Sequence, residues 1–147
     1  MLKLTTVCAA VLVLSGCAAQ DGSMGFNQLE TVNYLRAQKD LPLDLVMTQR
    51  AVFKQPAVCD SDLQFAVDPD QPTYARVTKP FSPGATRLND TIVMGMTLMS
   101  DRTIRTRVYS YFTPTDEQIT EMYNALRYPG ICPGEPIPEE PKKAEEE

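Results

Sequence analysis

Residues 91–112 read TIVMGMTLMSDRTIRTRVYSYF, and they contain the clearest strand pattern in the chain. Apolar side chains alternate with other residues in both halves of the segment, as in strands that have one buried face. The first alternating set is Ile92, Met94, Met96 and Leu98, and the second is Ile104, Thr106, Val108, Ser110 and Phe112. Ser100-Asp101-Arg102 joins the two halves, so the segment predicts an antiparallel hairpin. Gly95 lies inside the first strand, where a glycine marks either a bulge or a close approach of another group.

Two further strands are predicted before this hairpin. Leu63, Phe65 and Val67 alternate with more polar or smaller residues, and residues 73–79 follow them after the turn at 68–72, where Pro and Asp favour a change of direction. Together with the hairpin, these segments predict an antiparallel sheet of about four strands.

A helix is predicted on each side of the strands. At the N-terminal side an apolar residue recurs at every third position from Leu29 to Leu35, which predicts a helix over residues 27–38. After the hairpin, Thr115 and Gln118 match a capping box. Apolar residues then recur at helical spacing, at Ile119, Met122, Tyr123 and Leu126. The expected fold is therefore α+β, with an N-terminal helix and a C-terminal helix packed on one face of the sheet.

Residues 43–54 are compatible with two structures. An apolar residue stands at every second position from Leu43 to Met47, as in a strand, but a helix that begins at Asp44 fits the segment nearly as well. Pro56 is expected to close the segment in either case. The sequence leaves the choice between strand and helix open.

Residues 1–16 have the composition of a secretory signal peptide. Lys3 is the only charged residue before Asp21, and the apolar run after it is shorter than the roughly 20 residues that a membrane-spanning helix needs. The run ends in Leu14-Ser15-Gly16-Cys17, which resembles the lipobox of bacterial lipoproteins. That resemblance implies cleavage before Cys17, acyl chains on Cys17 and attachment to a membrane.

The resemblance also predicts a location in the cell envelope. In lipoproteins of Gram-negative bacteria an Asp after the Cys commonly retains the protein in the inner membrane, and Ala18 takes that position here. We therefore expect a periplasm-facing lipid anchor in the outer membrane, or in the cytoplasmic membrane if the host is Gram-positive. Residues 17–25 are small and polar, which predicts a flexible tether between the lipid and the domain.

The composition argues against several kinds of function. The chain has a formal net charge of −5, which disfavours binding to nucleic acid. It contains no His, so the catalytic triads and zinc-protease sites that require an imidazole are excluded. No other catalytic pattern stands out, and we expect a protein without enzymatic activity and without a cofactor.

Two of the four cysteines remain for structure. Cys8 lies in the signal peptide and Cys17 in the lipobox-like motif, so Cys59 and Cys132 stay in the mature domain. An oxidising envelope compartment favours a disulfide between them. A redox-active or metal-binding pair is the alternative, but the sequence has neither a Cys-x-x-Cys motif nor a His.

One globular domain is predicted over residues 26–132. From Pro133 the chain is rich in proline and glutamate and has too few apolar residues to fold. Residues 133–147 are therefore predicted to form a disordered acidic tail.

Two groups of residues in the hairpin are candidates for binding. The first consists of guanidinium and phenol groups near one face, which suit a glycan, a carboxylate or the acidic surface of a partner. Its members are Arg102, Arg105, Arg107, Tyr109 and Tyr111. The second group resembles the thioether motifs of periplasmic Cu(I) proteins, although methionines also fill protein cores. Its members are Met94, Met96 and Met99.

The predicted function is that of a non-enzymatic envelope lipoprotein, an accessory or assembly factor that holds a protein partner at the outer membrane. The alternative is a periplasmic binding module for a small ligand, a glycan or a metal. A binding module needs a concave pocket with a few convergent polar groups, whereas an assembly factor needs an exposed apolar or Arg/Tyr surface.

Overall fold

Five antiparallel strands form one sheet in the computed structural model, which describes residues 22–138. The strands are β1 (Leu35–Leu41), β2 (Gln64–Val67), β3 (Tyr74–Pro80), β4 (Thr91–Leu98) and β5 (Ile104–Tyr109). Their order across the sheet is β1-β5-β4-β3-β2. The predicted hairpin and the two strands before it are confirmed, and β1 is an additional strand at the edge.

Two long helices cover one face of this sheet, so the expected α+β class is confirmed. They are α2 (Leu45–Cys59) and α3 (Asp116–Arg127), and a single turn, α1 (Phe26–Leu29), precedes the first strand. Short 3₁₀ turns occupy Val32–Tyr34 and Leu88–Asp90. Helix α2 connects the two edge strands of the sheet, and α3 follows β5 and packs beside α2.

The N-terminal helix predicted over residues 27–38 is wrong beyond its first turn. Helix α1 ends at Leu29, and the chain from Leu35 forms the edge strand β1, which pairs with β5. This pairing satisfies the backbone hydrogen bonds of the segment, which outweighs an apolar spacing that also suits a helix. Val32, in the middle of that spacing, is 82% exposed.

Residues 45–59 are helical, which decides between the two structures that the sequence left open. Asp44 caps α2, because its side chain accepts a hydrogen bond from the backbone N–H of Met47 at 2.7 Å. Pro56 does not close the segment as predicted, since the helix continues to Cys59.

The predicted disulfide between Cys59 and Cys132 is present, and it joins the end of α2 to the segment after α3. The buried Gln55 strengthens the same junction. Its side chain donates to the carbonyl oxygen of Ile131 at 2.9 Å and accepts from the N–H of Gly130 at 2.9 Å. These contacts hold the last turn of α2, where the proline has removed one helical hydrogen bond.

Helix α3 begins where the sequence predicted, but it is not capped as predicted. Thr115 occupies the N-cap position, and its side chain makes no capping hydrogen bond. Asp116 and Glu117 place negative charge in the first turn, which complements the helix dipole. The apolar side of α3 is buried, through Ile119, Met122, Ala125 and Leu126.

The main core lies between the sheet and the two long helices. Its fully buried strand residues include Leu41, Ala75, Val77, Ile92, Met94, Met96, Ile104 and Val108. A smaller cluster on the opposite face joins Leu29 to Val93 and Tyr109. This smaller cluster holds the N-terminal segment against one end of that face, and no helix within residues 22–138 covers the rest of it.

The predicted signal peptide at residues 1–16, Cys17 and residues 139–147 of the tail lie outside the described residues. Of the predicted tether, Met24 packs against the cluster around Leu29. Residues 133–138, the described part of the tail, are exposed and begin with a turn in which the N–H of Glu135 donates to the carbonyl oxygen of Cys132. Between residues 22 and 138, no helix is long and apolar enough to cross a membrane.

Candidate functional site

A groove of about 460 Å³ lies on the sheet face opposite the long helices. The antiparallel register determines which residues share this face, and two neighbouring rows run across it. The first row is Arg76, Gly95, Arg107 and Gln38, and the second is Tyr74, Thr97, Arg105 and Asp40, on β3, β4, β5 and β1 in turn. This face therefore combines guanidinium, phenol and carboxylate groups from four strands.

Gly95 forms the floor of the groove at the centre of the sheet. Its pairing with both neighbouring strands is regular, so the close approach considered from the sequence is what occurs, and not a bulge. The Tyr74 side chain lies over it, with its hydroxyl oxygen inside contact distance of the position that a Cβ atom would take. The glycine leaves room for this phenol ring, which forms one wall of the groove.

Arg76 is fixed between two aromatic rings and two carboxylates. Its guanidinium carbon lies 4.6 Å from the ring centroid of Phe26 and 4.7 Å from that of Tyr74. Its Nε donates to Oε1 of Glu30 at 2.6 Å, and its Nη1 donates to Oδ2 of Asp68 at 2.9 Å. The two carboxylates occupy the donors of this arginine, so its main role is to organise the groove wall.

These ion pairs shift the pKa values of the groups in the wall. The hydrogen bond from Arg76 lowers the pKa of Asp68, and the hydrogen bond to Glu30 raises the pKa of Arg76. Burial, followed by the nearby charge of Glu30, raises the pKa of Tyr74. The wall thus joins the Arg76 guanidinium to two acidic side chains, beside a phenol whose pKa is raised.

Arg107 lines the groove without a carboxylate partner among residues 22–138. Its Nε donates to the amide oxygen of Gln38 at 3.2 Å, and no carboxylate of residues 22–138 forms an ion pair with it. Its neighbour Arg105 is paired with Asp40 at 3.1 Å in a partly exposed contact. A carboxylate that enters from the open side meets both guanidinium groups, and Arg107 has the planar geometry to bind it with two parallel hydrogen bonds.

Three of the five residues predicted for partner binding lie together at the groove. Arg105, Arg107 and Tyr109 all line it. Tyr109 is only 7% exposed, because its ring belongs to the small apolar cluster around Leu29. The two arginines therefore supply the accessible part of the predicted surface.

The other two predicted residues lie elsewhere. Arg102 is exposed in the β4–β5 turn, where its backbone takes a left-handed φ of 64°. Tyr111 lies beyond the end of β5, and its ring stacks against Tyr34 with 5.7 Å between the centroids. The sequence pattern predicted a strand that continues to Phe112. The pairing of β5 with β4 stops at Tyr109, so the residues after it no longer lie on the groove face of the sheet.

Several residues that complete the groove were not predicted from the sequence. Tyr74 and Arg76 alternate on the predicted strand over residues 73–79, so their shared face could have been recognised. Glu30 and Asp68 come from the segments before β1 and after β2, and no local pattern connects them with β3.

The three methionines considered for copper are divided between the core and a turn. Met94 and Met96 lie on the helix-covered face and are fully buried, whereas Met99 follows the end of β4 and begins the turn to β5. Among the described residues, no group of three or more His, Cys, Asp or Glu side chains could hold a metal ion.

A comparison of the chain with protein-family models, with curated proteins and with solved structures returned no match. The function is therefore inferred from the sequence and from the geometry of the groove.

Proposed function

We propose that the chain is a non-enzymatic envelope lipoprotein that binds a protein partner through the groove. The lipobox-like Leu14-Ser15-Gly16-Cys17 after a signal-like start supports anchoring through acyl chains on Cys17. Ala18 favours the outer membrane, with the domain facing the periplasm. The disulfide agrees with an oxidising compartment.

The observation that carries the proposal is the pair of neighbouring arginines on the part of the sheet face that no helix of residues 22–138 covers. Arg107 offers donors that no described carboxylate occupies, and Arg105 is held only by a partly exposed ion pair. Exposed pairs of this kind contribute little stability, so exchanging Asp40 for another carboxylate costs little. An acidic segment of an envelope protein supplies carboxylates that match both arginines.

The carboxylates of the groove wall support a binding role over a catalytic one. Glu30 and Asp68 both form ion pairs with Arg76, and the hydrogen bond from Arg76 lowers the pKa of Asp68. General acid–base catalysis instead needs a group whose pKa lies near the working pH. We therefore assign these carboxylates to the support of the groove.

A small ligand or a glycan is the second candidate for the same groove. Its volume of about 460 Å³ falls within the range of small-molecule sites. Tyr74 presents a ring beside polar groups, which is a suitable surface for a sugar. The two candidates use the same arginines and differ in the size of what they bind.

The test is crosslinked pull-down from the native envelope with the full-length acylated protein. We expect Arg107→Gln to lose the captured partner, because the variant cannot bind a carboxylate with two charged hydrogen bonds. Arg50→Gln, a change at an exposed position of α2, is the matched control and should retain the partner. Equal capture by both variants would contradict the assignment of the groove.

A second experiment separates the two candidates and checks the anchor. If wild-type protein captures no partner, while envelope glycans change the amide NMR signals of Gly95 and Thr97, the small-ligand function is favoured. Cys17→Ser is expected to remove the acyl mass and to release the protein from the membrane fraction. Unchanged mass and fractionation in this variant would contradict lipidation at Cys17.

A further inference from the structure

Four aromatic side chains form a cluster at one end of the sheet. The ring centroid of Tyr111 lies 5.7 Å from that of Tyr34 and 5.2 Å from that of Phe112, and Phe112 lies 5.9 Å from Phe81. Phe81, Tyr111 and Phe112 remain 37%, 45% and 46% exposed. We term these four residues the aromatic end.

The aromatic end lies beside the first described residues of the chain. Gly22 and Tyr111 line one open hollow of about 810 Å³. Asn89 fixes the chain there, since its side chain accepts from the N–H of Met24 at 2.9 Å and donates to the carbonyl oxygen of Gly22 at 3.3 Å. The N-terminal segment is therefore tied to the same end of the domain as the exposed rings.

The sequence limits how far this end can lie from a lipid on Cys17. Only residues 18–21 separate Cys17 from Gly22. A fully extended chain between these two residues spans at most about 18 Å. This inference rests on the proposed function, in which Cys17 is acylated. The bilayer surface then lies within that distance of Gly22.

We propose that the aromatic end contacts the headgroup region of the bilayer that holds the lipid anchor. Tyr and Phe rings near this boundary bury apolar area, and the Tyr hydroxyl can stay in contact with water or headgroups. Val32, which is 82% exposed in the segment before β1, adds apolar surface close to Tyr34. The acyl chains on Cys17 supply the attachment, and the rings then hold one end of the domain against the surface.

The charges near the hollow fit this contact. Within residues 22–138, the side chains that line the hollow include no carboxylate. The guanidinium of Arg87 lies beside Gly22, with Nη2 3.9 Å from the position of a Cβ atom there. A cation without neighbouring acidic groups in the lining is favourable next to lipid phosphates.

The contact also gives the groove a direction. Strand β4 rises from Thr91 near the aromatic end to Leu98, a distance of about 23 Å at the rise of a strand. The row of Tyr74, Thr97 and Arg105 lies toward the Leu98 end. With the aromatic end on the bilayer, the arginines of the groove lie on the part of the sheet that is farther from the membrane, where a periplasmic partner can reach them.

The membrane contact can be measured with a single fluorescent reporter, because the chain contains no Trp. Phe112→Trp places the reporter in the aromatic end, and Phe53→Trp places a matched reporter on the outer side of α2, where Phe53 is 62% exposed. Both acylated proteins are reconstituted into phosphatidylethanolamine–phosphatidylglycerol vesicles that contain brominated lipids. We expect a blue-shifted emission for Phe112→Trp and quenching at least about twofold stronger than for Phe53→Trp.

Flotation of the vesicles reports the anchor independently of the rings. Equal quenching of the two reporters in floated protein overturns the membrane contact and leaves the anchor intact. Protein that stays in solution and lacks acyl mass overturns the proposed function, and this inference fails with it. Tyr111→Trp is the second reporter in the aromatic end, and it decides the outcome if Phe112→Trp does not fold.

Discussion

Replacing Gly95 with Ala is expected to destabilise the protein through one contact with Tyr74. An ideal Cβ at this position would lie 3.2 Å from Cζ of Tyr74 and closer still to its hydroxyl oxygen. The hydroxyl would have to retreat by about 1 Å to reach an ordinary contact distance. The ring cannot move freely, because the guanidinium of Arg76 stacks on it at 4.7 Å.

The expected size of the effect follows from three contributions. Overpacking of a formed contact costs about 1–3 kcal/mol, and a weaker stacking between Arg76 and the ring costs up to about 1 kcal/mol more. An Ala in a strand recovers about 0.5–1 kcal/mol relative to Gly, since the unfolded chain has less freedom to lose. Taken at the middle of each range, these contributions leave a loss of slightly under about 2 kcal/mol, so we expect Gly95→Ala to lower the free energy of unfolding by about 1–2 kcal/mol.

A double-mutant cycle isolates this contact. Tyr74→Phe removes the hydroxyl that the new methyl group meets, so Gly95→Ala is expected to be close to neutral in that background. Urea unfolding of the four proteins should then give a coupling energy of about 1–2 kcal/mol. Gly25→Ala, where nothing lies within 4 Å of an added Cβ, is the control and should leave stability nearly unchanged. Additivity of the two changes within about 0.5 kcal/mol would refute the proposed packing.

Three further changes test the supports of the groove and of the fold. Arg76→Met is expected to lower the free energy of unfolding by about 1–2 kcal/mol in urea titrations, because it leaves the partly buried Glu30 without its counter-charge. Replacing Cys59 and Cys132 by Ser should cost up to about 4 kcal/mol in the chain-entropy model, since the bond closes a long loop with a sequence separation of 73, and addition of a reductant to the wild type should reproduce the loss. The hydrogen bond from Arg76 lowers the pKa of Asp68 in the folded state, so its stabilisation is present above the unfolded pKa of about 4 and is lost as the pH falls. The difference in stability between wild type and Asp68→Asn should therefore shrink between pH 6 and pH 3, and a difference that grows on acidification would contradict this sign.

The strands of the hairpin could be predicted because each carries its own alternating pattern. Ile92 to Leu98 and Ile104 to Val108 alternate without reference to any distant segment. The edge strand β1 differs, since only Leu41 of its residues is fully buried and its hydrogen bonds go to β5. Its Asp40 meets Arg105 across a sequence separation of 65, which no local pattern indicates. The spacing of apolar residues therefore predicted a helix in a segment that forms an edge strand by pairing with β5.

The groove was partly predictable for the same reason. Arg105 and Arg107 stand two positions apart on one strand, so the sequence already places them on one face. Arg76 faces Arg107 across Gly95 only because of the register of three strands. Glu30 reaches Arg76 across a sequence separation of 46, from a turn that the sequence had assigned to a longer helix. Residues that reach the groove through strand register or through loops could therefore not be predicted from local sequence patterns.

Arg76 and Arg107, which lie in the same row across the sheet, have different roles. The side chain of Arg76 is 17% exposed, because its carboxylate partners and the rings of Phe26 and Tyr74 cover most of its surface. A substitution there leaves two carboxylates without a partner, so a loss of binding could not be separated from damage to the fold. Arg107 is exposed and contacts the neutral amide of Gln38, so its removal strands no charge in the wall. A loss of partner binding in Arg107→Gln with unchanged stability therefore reports on the ligand, which makes Arg107 the decisive position for testing the function of the groove.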